Sequence, residues 1–177
     1  MLTRIIVFIT LLSAVSVVHA QAVPAGERFG DLKVGGGFST ASSDYGDRYN
    51  GGAAYFDYDF LSHIGLEGEF HFVKDPNDLY EKTYEIGGRY FLSTYKKRWV
   101  PYAKGMYGRG VFNFPPLGDG FRANIGYNLM AIGVGVDYKA KPWLYLRADW
   151  EYQHWFDFQD SSLTPNILTI GAAYRFR

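Results

Sequence analysis

Apolar residues recur with a period of two in segment after segment, no window carries capped helical periodicity, and beyond residue 20 no apolar run reaches the roughly 18 residues of a spanning helix. These three observations predict an all-β chain: an eight-stranded antiparallel up-and-down transmembrane β-barrel. The 177 residues suit one domain, and 18 Lys+Arg against 18 Asp+Glu leave no positive field to attract nucleic acid. The absence of cysteine excludes a disulfide framework, a thiolate zinc site, a thiol nucleophile and a lipid-anchoring cysteine. Burial and hydrogen bonds must therefore hold the fold.

Residues 1–20 read as a cleaved signal peptide, with Arg4, an apolar run over 5–18 too short to span, and Val18-His19-Ala20 before Gln21. Removing twenty residues from 177 leaves 157, and losing Arg4 takes the basic count from 18 to 17 against 18 acids. A short segment, 21–28, then leads into a barrel domain over 29–177. The first strand is expected at 29–40. In 50–61, Phe56, Tyr58 and Phe60 alternate with Asp57 and Asp59; in 64–73, Ile64, Leu66, Phe70 and Phe72 alternate with Glu67, Glu69 and His71. These two segments form one hairpin. Tyr84, Ile86, Tyr90 and Leu92 against Glu85 and Arg89 mark the fourth strand, and 99–112 and 124–138 the fifth and sixth. Leu144, Leu146, Ala148, Trp150 and Tyr152 against Arg147, Asp149, Glu151 and Gln153 mark the seventh, and 163–176 the eighth. Connections at 61–63, 93–98 and 139–142 are short, whereas those at 41–49, 74–82, 113–123 and 156–162 are longer, so all short turns fall at one end.

Alternation alone does not say which face looks inward. An eight-stranded barrel has an interior just wide enough to be filled by side chains. The Phe/Tyr/Trp/Leu face is too bulky for that space, whereas the other face combines Gly35, Gly37, Gly65, Gly87, Ala131, Gly133, Gly135, Gly171 and Ala173 with opposite charges. The bulky face therefore points to lipid, with Phe56, Tyr58, Phe60, Tyr90, Trp143, Trp150, Tyr152, Tyr174 and Phe176 available for interfacial girdles. On the fifth strand, Lys104 and Met106 versus Tyr107 and Arg109 leave the facing open.

The export signal, the eight alternating strands, the short-turn and long-loop ends, and the final strand 168–176 (LTIGAAYRF) together resemble the small bacterial outer-membrane barrels of the outer membrane protein A and X type. The resemblance implies an outer-membrane location, short turns toward the periplasm and long loops outside. It also implies contact with outer-membrane lipids and lipopolysaccharide, and recognition of the last strand by the barrel-assembly machinery, with Tyr174 and Phe176 as the assembly signal. A monomer is expected.

The expected interior charge network comprises Lys33, Asp57, Asp59, Glu67, Glu69, His71, Glu85, Arg89, Asp137, Arg147, Asp149, Glu151 and Arg175, which must be paired in so tight a space. Glu67 and Glu69 lie on the strand beside Arg89, Asp137 beside Arg147, and Lys33 and Arg175 meet where the first and last strands close. A filled, salt-bridged barrel with a structural or surface-interaction role is the leading reading. The alternatives are a small gated pore whose ion pairs switch partners, and a lipid-modifying enzyme. The enzyme would need a hydroxyl nucleophile, a His base and a carboxylate near the outer end, where His154, Asp157, Asp160, Ser161 and Ser162, with His71, are the candidates. By parity His154 faces lipid, and no enzyme is expected. The pairs Asp44/Asp47, Asp75/Asp78 and Asp157/Asp160 have no EF-hand pattern and read as solvated loop acids, so neither metal nor cofactor is expected.

Overall fold

A computed structural model of the chain describes residues 30–43, 48–76, 79–93, 97–114, 123–158 and 161–176, and the side chains of Ser161 and Ser162 lie outside this description. The expected signal peptide, the 21–28 segment and most of the loop acids also lie outside it.

Nine strands form the wall: β1 (Asp31–Ser42), β2 (Tyr49–Asp59), β3 (Ile64–Lys74), β4 (Tyr80–Phe91), β5 (Trp99–Phe114), β6 (Ala123–Lys141), β7 (Leu144–Phe158), β8 (Ser161–Leu163) and β9 (Asn166–Arg175). From β1 to β8 each strand pairs antiparallel with the next, β7 also pairs with β9, and β1 with β9, so the sheet closes on itself. β8 and β9 are two pieces of one stave, and the barrel is eight-stranded. The expected continuous last strand is interrupted at Thr164-Pro165. Proline has no N–H for the ladder, and the Pro165 carbonyl instead accepts the Gln153 N–H at 2.9 Å. Asp157, with φ of 56°, marks the same irregular corner. β5, β6 and β7 are longer than expected, at 16, 19 and 15 residues.

Closure satisfies the backbone. In hydrocarbon an unpaired sheet edge costs several kcal/mol per exposed polar group; here Lys33 to Ser42 of β1 is in unbroken register with Arg175 to Asn166 of β9. The Phe176 N–H donates to the Leu32 carbonyl at 3.0 Å, which extends the seam.

The parity inferred from the sequence holds on each stave where the pattern declared one, and the fifth strand, left open, is now assigned. Val34, Phe56, Tyr90, Ile132, Trp150, Ile170 and Tyr174 are exposed on the outer wall, while Lys33, Asp57, Arg89, Asp137 and Arg147 are buried. β5 resolves as Val100, Tyr102, Lys104 and Met106 inward, with Tyr107 and Arg109 outward.

The interior is less exclusively small than expected. Tyr55, Tyr102, Tyr145, Phe91, Phe112 and Trp155 are all buried. Interior glycines make room for them: a Cβ on Gly135 would lie 2.5 Å from the Tyr102 ring, and one on Gly110 would run into the Trp155 indole. Gly135→Val is therefore expected to lower stability by about 1–3 kcal/mol, the usual cost of overpacking. Gly105→Ala, on the lipid face where a Cβ meets nothing within 4 Å, is expected to leave it unchanged or raised. Urea unfolding of the refolded barrel, followed by tryptophan fluorescence, measures both.

Candidate functional site

The alternation that sends bulky side chains to lipid sends one charge after another inward, and antiparallel pairing brings them to matching depth. Asp57 lies across from Lys33 and Glu67, and Asp137 across from Arg147. The result is two stacked charge clusters.

In the lower cluster, Arg147 donates from Nε to Asp137 at 2.9 Å, from Nη1 to Glu67 at 3.0 Å and from Nη2 to Asp57 at 2.6 Å. Arg89 reaches the same three carboxylates: Asp57 at 3.0 Å, Glu67 at 3.2 Å and Asp137 at 2.8 Å. Each guanidinium also lies over a tyrosine ring, Arg89 3.8 Å from the centroid of Tyr102 and Arg147 4.0 Å from that of Tyr55. Lys33 bonds Asp59 at 2.6 Å and approaches Asp137 at 3.4 Å. Its register partner Arg175 turns to the rim, where it is partly exposed and pairs with Asp31 at 2.5 Å. Two like charges at the seam are thus drawn apart by different acids.

The upper cluster is organised by Lys104, which sequence reading left unassigned. Its ammonium contacts Glu69 at 2.5 Å, Asp149 and Glu151 at 2.9 Å and Glu67 at 3.0 Å. Depth would have identified it. Lys104 is mid-strand, where no lipid-facing ammonium reaches water, whereas Arg109 stands near the outer end and can extend its head toward the interface. The surplus of acids in the inward set demanded another cation as well. Beside Lys104, His71 contacts Glu69 at 3.1 Å and Thr83 at 3.2 Å, and Gln153 donates to both Glu85 and Glu151 at 2.7 Å.

An apolar collar bounds the charged layer on the loop side. Toward the loops, Phe112, Leu129, Trp155, Phe158 and Leu163 form one buried cluster and Ala41, Tyr49, Val73 and Ile167 another, every one no more than 2% exposed. The Trp155 indole N–H closes the charged layer from above by donating to Gln153 at 2.9 Å. Two further clusters interleave with the charges, Phe91, Val100 and Tyr102 on one side and Tyr55, Tyr145 and Ala173 on the other.

Among the described residues, the two histidines considered for acyl chemistry are not brought together. His71 is sealed inside the barrel, whereas His154 faces outward with its ring 5.0 Å from that of Phe156. Asp160 and the Ser161 and Ser162 side chains lie outside the described residues. Of the loop acids, Asp75 is buried and its carboxylate accepts the Leu79 N–H at 2.8 Å, which makes it a turn-former rather than a solvated acid.

A closed eight-stranded barrel with an apolar outer wall and a buried, ion-paired interior is a membrane-spanning protein. The sequence matches the outer membrane protein beta-barrel domain family over residues 8–176, and the chain belongs to that family. It is an outer-membrane protein. No curated protein matches it in sequence. Among solved structures it resembles Neisserial surface protein A, with a TM-score of 0.66 at 16% identity, over 85% of this chain and 99% of that one. It also resembles Ail, the attachment invasion locus protein of Yersinia pestis, in complex with the heparin analogue sucrose octasulfate. That TM-score is 0.62 at 18% identity, over 84% and 100% of the two chains. The outer membrane protein OprG of Pseudomonas aeruginosa gives 0.59 at 16% identity, over 86% and 98%. At these identities the likeness is one of fold.

Removing one partner of a buried charge network strands the others, typically at about 3–5 kcal/mol. Arg147→Met is expected to lose stability of that order, because Asp57, Glu67 and Asp137 all lose a donor. Arg109→Met, on the outer wall, is expected to change it by less than about 0.5 kcal/mol. The two variants are compared by urea titration in detergent micelles.

Proposed function

We propose that the chain is a sealed structural and surface-interaction component of the outer membrane, a monomer with neither catalytic activity nor a continuous aqueous path. The observation that carries this reading is the buried apolar cluster on the loop side of a charged layer in which every permanent cation is bound to several carboxylates. Trp155, Phe158 and Tyr49 are fully buried among the described residues at the loop end, and a gate built on switching ion pairs would still meet them. A catalytic reading lacks a constellation, since its two histidines stand on opposite faces of the wall.

Planar-bilayer recordings test this. The refolded protein, its insertion verified by heat-modifiable gel migration, is expected to give no discrete conductance steps. Substituting the collar, as in Trp155→Ala with Phe158→Ala, is expected to introduce them. Discrete steps in the wild type that respond to neutralising Arg89 or Arg147 would make it a gated pore.

The outer wall supports a specific lipid contact. On the lipid face of β3, β4 and β5 the only charges are cationic, Lys74, Lys82 and Arg109, all toward the loop end. Lys82 pairs in register with Val111 and Tyr84 with Arg109, so the Lys82 and Arg109 side chains are diagonal neighbours. The Lys82 ammonium lies 4.7 Å from the Tyr80 ring centroid and 5.5 Å from that of Phe72. This patch is read as holding the phosphates of lipopolysaccharide, at about 1 kcal/mol per cation. Lys82→Ala with Arg109→Ala is expected to reduce thermal stabilisation by lipopolysaccharide in nanodiscs and to leave stability in phospholipid nanodiscs unchanged. Tyr174 and Phe176, outward on the last stave with rings 5.1 Å apart, suit the proposed role as the signal read by the assembly machinery.

A further inference from the structure

The charged interior does not balance. Within the two clusters, eight of the buried carboxylates face four permanently charged side chains, Lys33, Arg89, Lys104 and Arg147. The lower cluster is nearly even, with Asp57, Asp59, Glu67 and Asp137 against three cations. The imbalance lies in the upper cluster, where Glu69, Glu85, Asp149 and Glu151 face Lys104 and His71.

Two groups of convergent ligand atoms occur there. One consists of Glu69, Asp149 and Glu151, and the Lys104 ammonium sits among them within 2.5–2.9 Å of each. The other consists of His71, Glu85 and Glu151, all buried, with one ligand atom from each lying within 4.8 Å of the other two. No comparable side-chain cation serves Glu85, whose ion-pair contact among the described residues is to His71 Nδ1 at 3.7 Å. Its second oxygen, Oε2, is buried with no hydrogen-bond partner, although the side chain is entirely inaccessible to solvent. A single amide, that of Gln153, holds Oε1 of Glu85 and Oε1 of Glu151 at 2.7 Å each, which brings two like charges together in a low-dielectric space. A buried carboxylate pair held this way calls for a positive charge between its members.

We infer that His71, Glu85 and Glu151 bind one divalent transition-metal ion of the zinc class. The donor set gives the metal class: one imidazole nitrogen with carboxylate oxygens suits zinc and its neighbours, whereas calcium and magnesium favour all-oxygen shells. The surroundings are those of a supported site. Gln153 orients both carboxylates, while the hydroxyls of Thr83 and Thr169 lie 3.2 and 3.4 Å from the two imidazole nitrogens. The ion's task is structural, to neutralise the acid surplus left by Lys104. Because the collar around Trp155 lies above the site, the ion enters as the barrel closes and is then trapped.

The test uses the mature chain refolded from urea in detergent with zinc chloride, then stripped with EDTA and analysed by elemental mass spectrometry. The wild type is expected to retain about one zinc per chain through EDTA, as a buried structural site does. Zinc added only after folding is expected to load at a small fraction of that level. Glu85→Gln and His71→Asn, their folding verified by heat-modifiable migration, are expected to retain no zinc. Asp149→Asn, which alters only the gathering around Lys104, and His154→Asn on the outer wall are expected to retain it. Should Glu85→Gln and His71→Asn fail to fold, wild type refolded with cobalt supplies the second readout: visible absorption bands of cobalt bound to imidazole and carboxylate are expected. Folded wild type with no EDTA-resistant zinc and no cobalt bands would overturn the inference and assign the surplus to protons on the carboxylates. Zinc retention undiminished in folded Glu85→Gln and His71→Asn would overturn it equally.

Discussion

Two guanidiniums that share three carboxylates are the constraint on which the molecule depends. Arg89 on β4 and Arg147 on β7 both grip Asp57 of β2, Glu67 of β3 and Asp137 of β6, so five of the eight staves meet at one point inside the lumen. Buried ion pairs seldom add net stability over a well-packed apolar core. Here an apolar core was not equally available, because a chain that must show hydrocarbon to the bilayer while remaining exportable has to keep polar residues on its other face. Once inside, those charges need multiple partners, and the barrel is held in the one register that supplies them.

The remainder of the interior follows from fitting this layer into a narrow tube. The guanidiniums are flat, and Tyr55 and Tyr102 lie against their faces; the tyrosines in turn need missing side chains opposite them, which Gly135 supplies for Tyr102. Above the charged layer the wall turns apolar inward, and Phe112, Trp155, Phe158 and Tyr49 fill the mouth. Trp155 links the two regimes, with its ring in the apolar collar and its N–H on Gln153 of the polar layer.

The family fold supports many roles, and the distant likeness to Ail, Neisserial surface protein A and OprG extends to the barrel alone. The chemistry of this chain is carried by particular side chains: the acid surplus around Lys104, and the cationic strip of Lys82 and Arg109 on a largely apolar wall. The first lies in the lumen, the second on the outer wall near the loop end.

The sequence by itself determined the staves and their facing. A period-two pattern assigns every residue of a strand to one of two sides, and side-chain volume decides which side a tube this narrow can enclose. Lys33, Asp57, Glu67, Arg89 and Arg147 were therefore legible as interior charges. Where the pattern breaks, the sequence was silent: β5 mixes Lys104 with Tyr107 and Arg109, and only depth within the finished wall separates a buried ammonium from one that reaches the interface. The interior aromatics were hidden for a similar reason, since an inward Tyr102 is tolerated only because Gly135 lies beside it on the neighbouring stave. Partner choice was decided by tertiary structure alone. Strand pairing fixes which residues share a level, but Arg147 meets Asp57 and Glu67 across the lumen, through a curvature that belongs to the closed sheet and to no single segment of the chain.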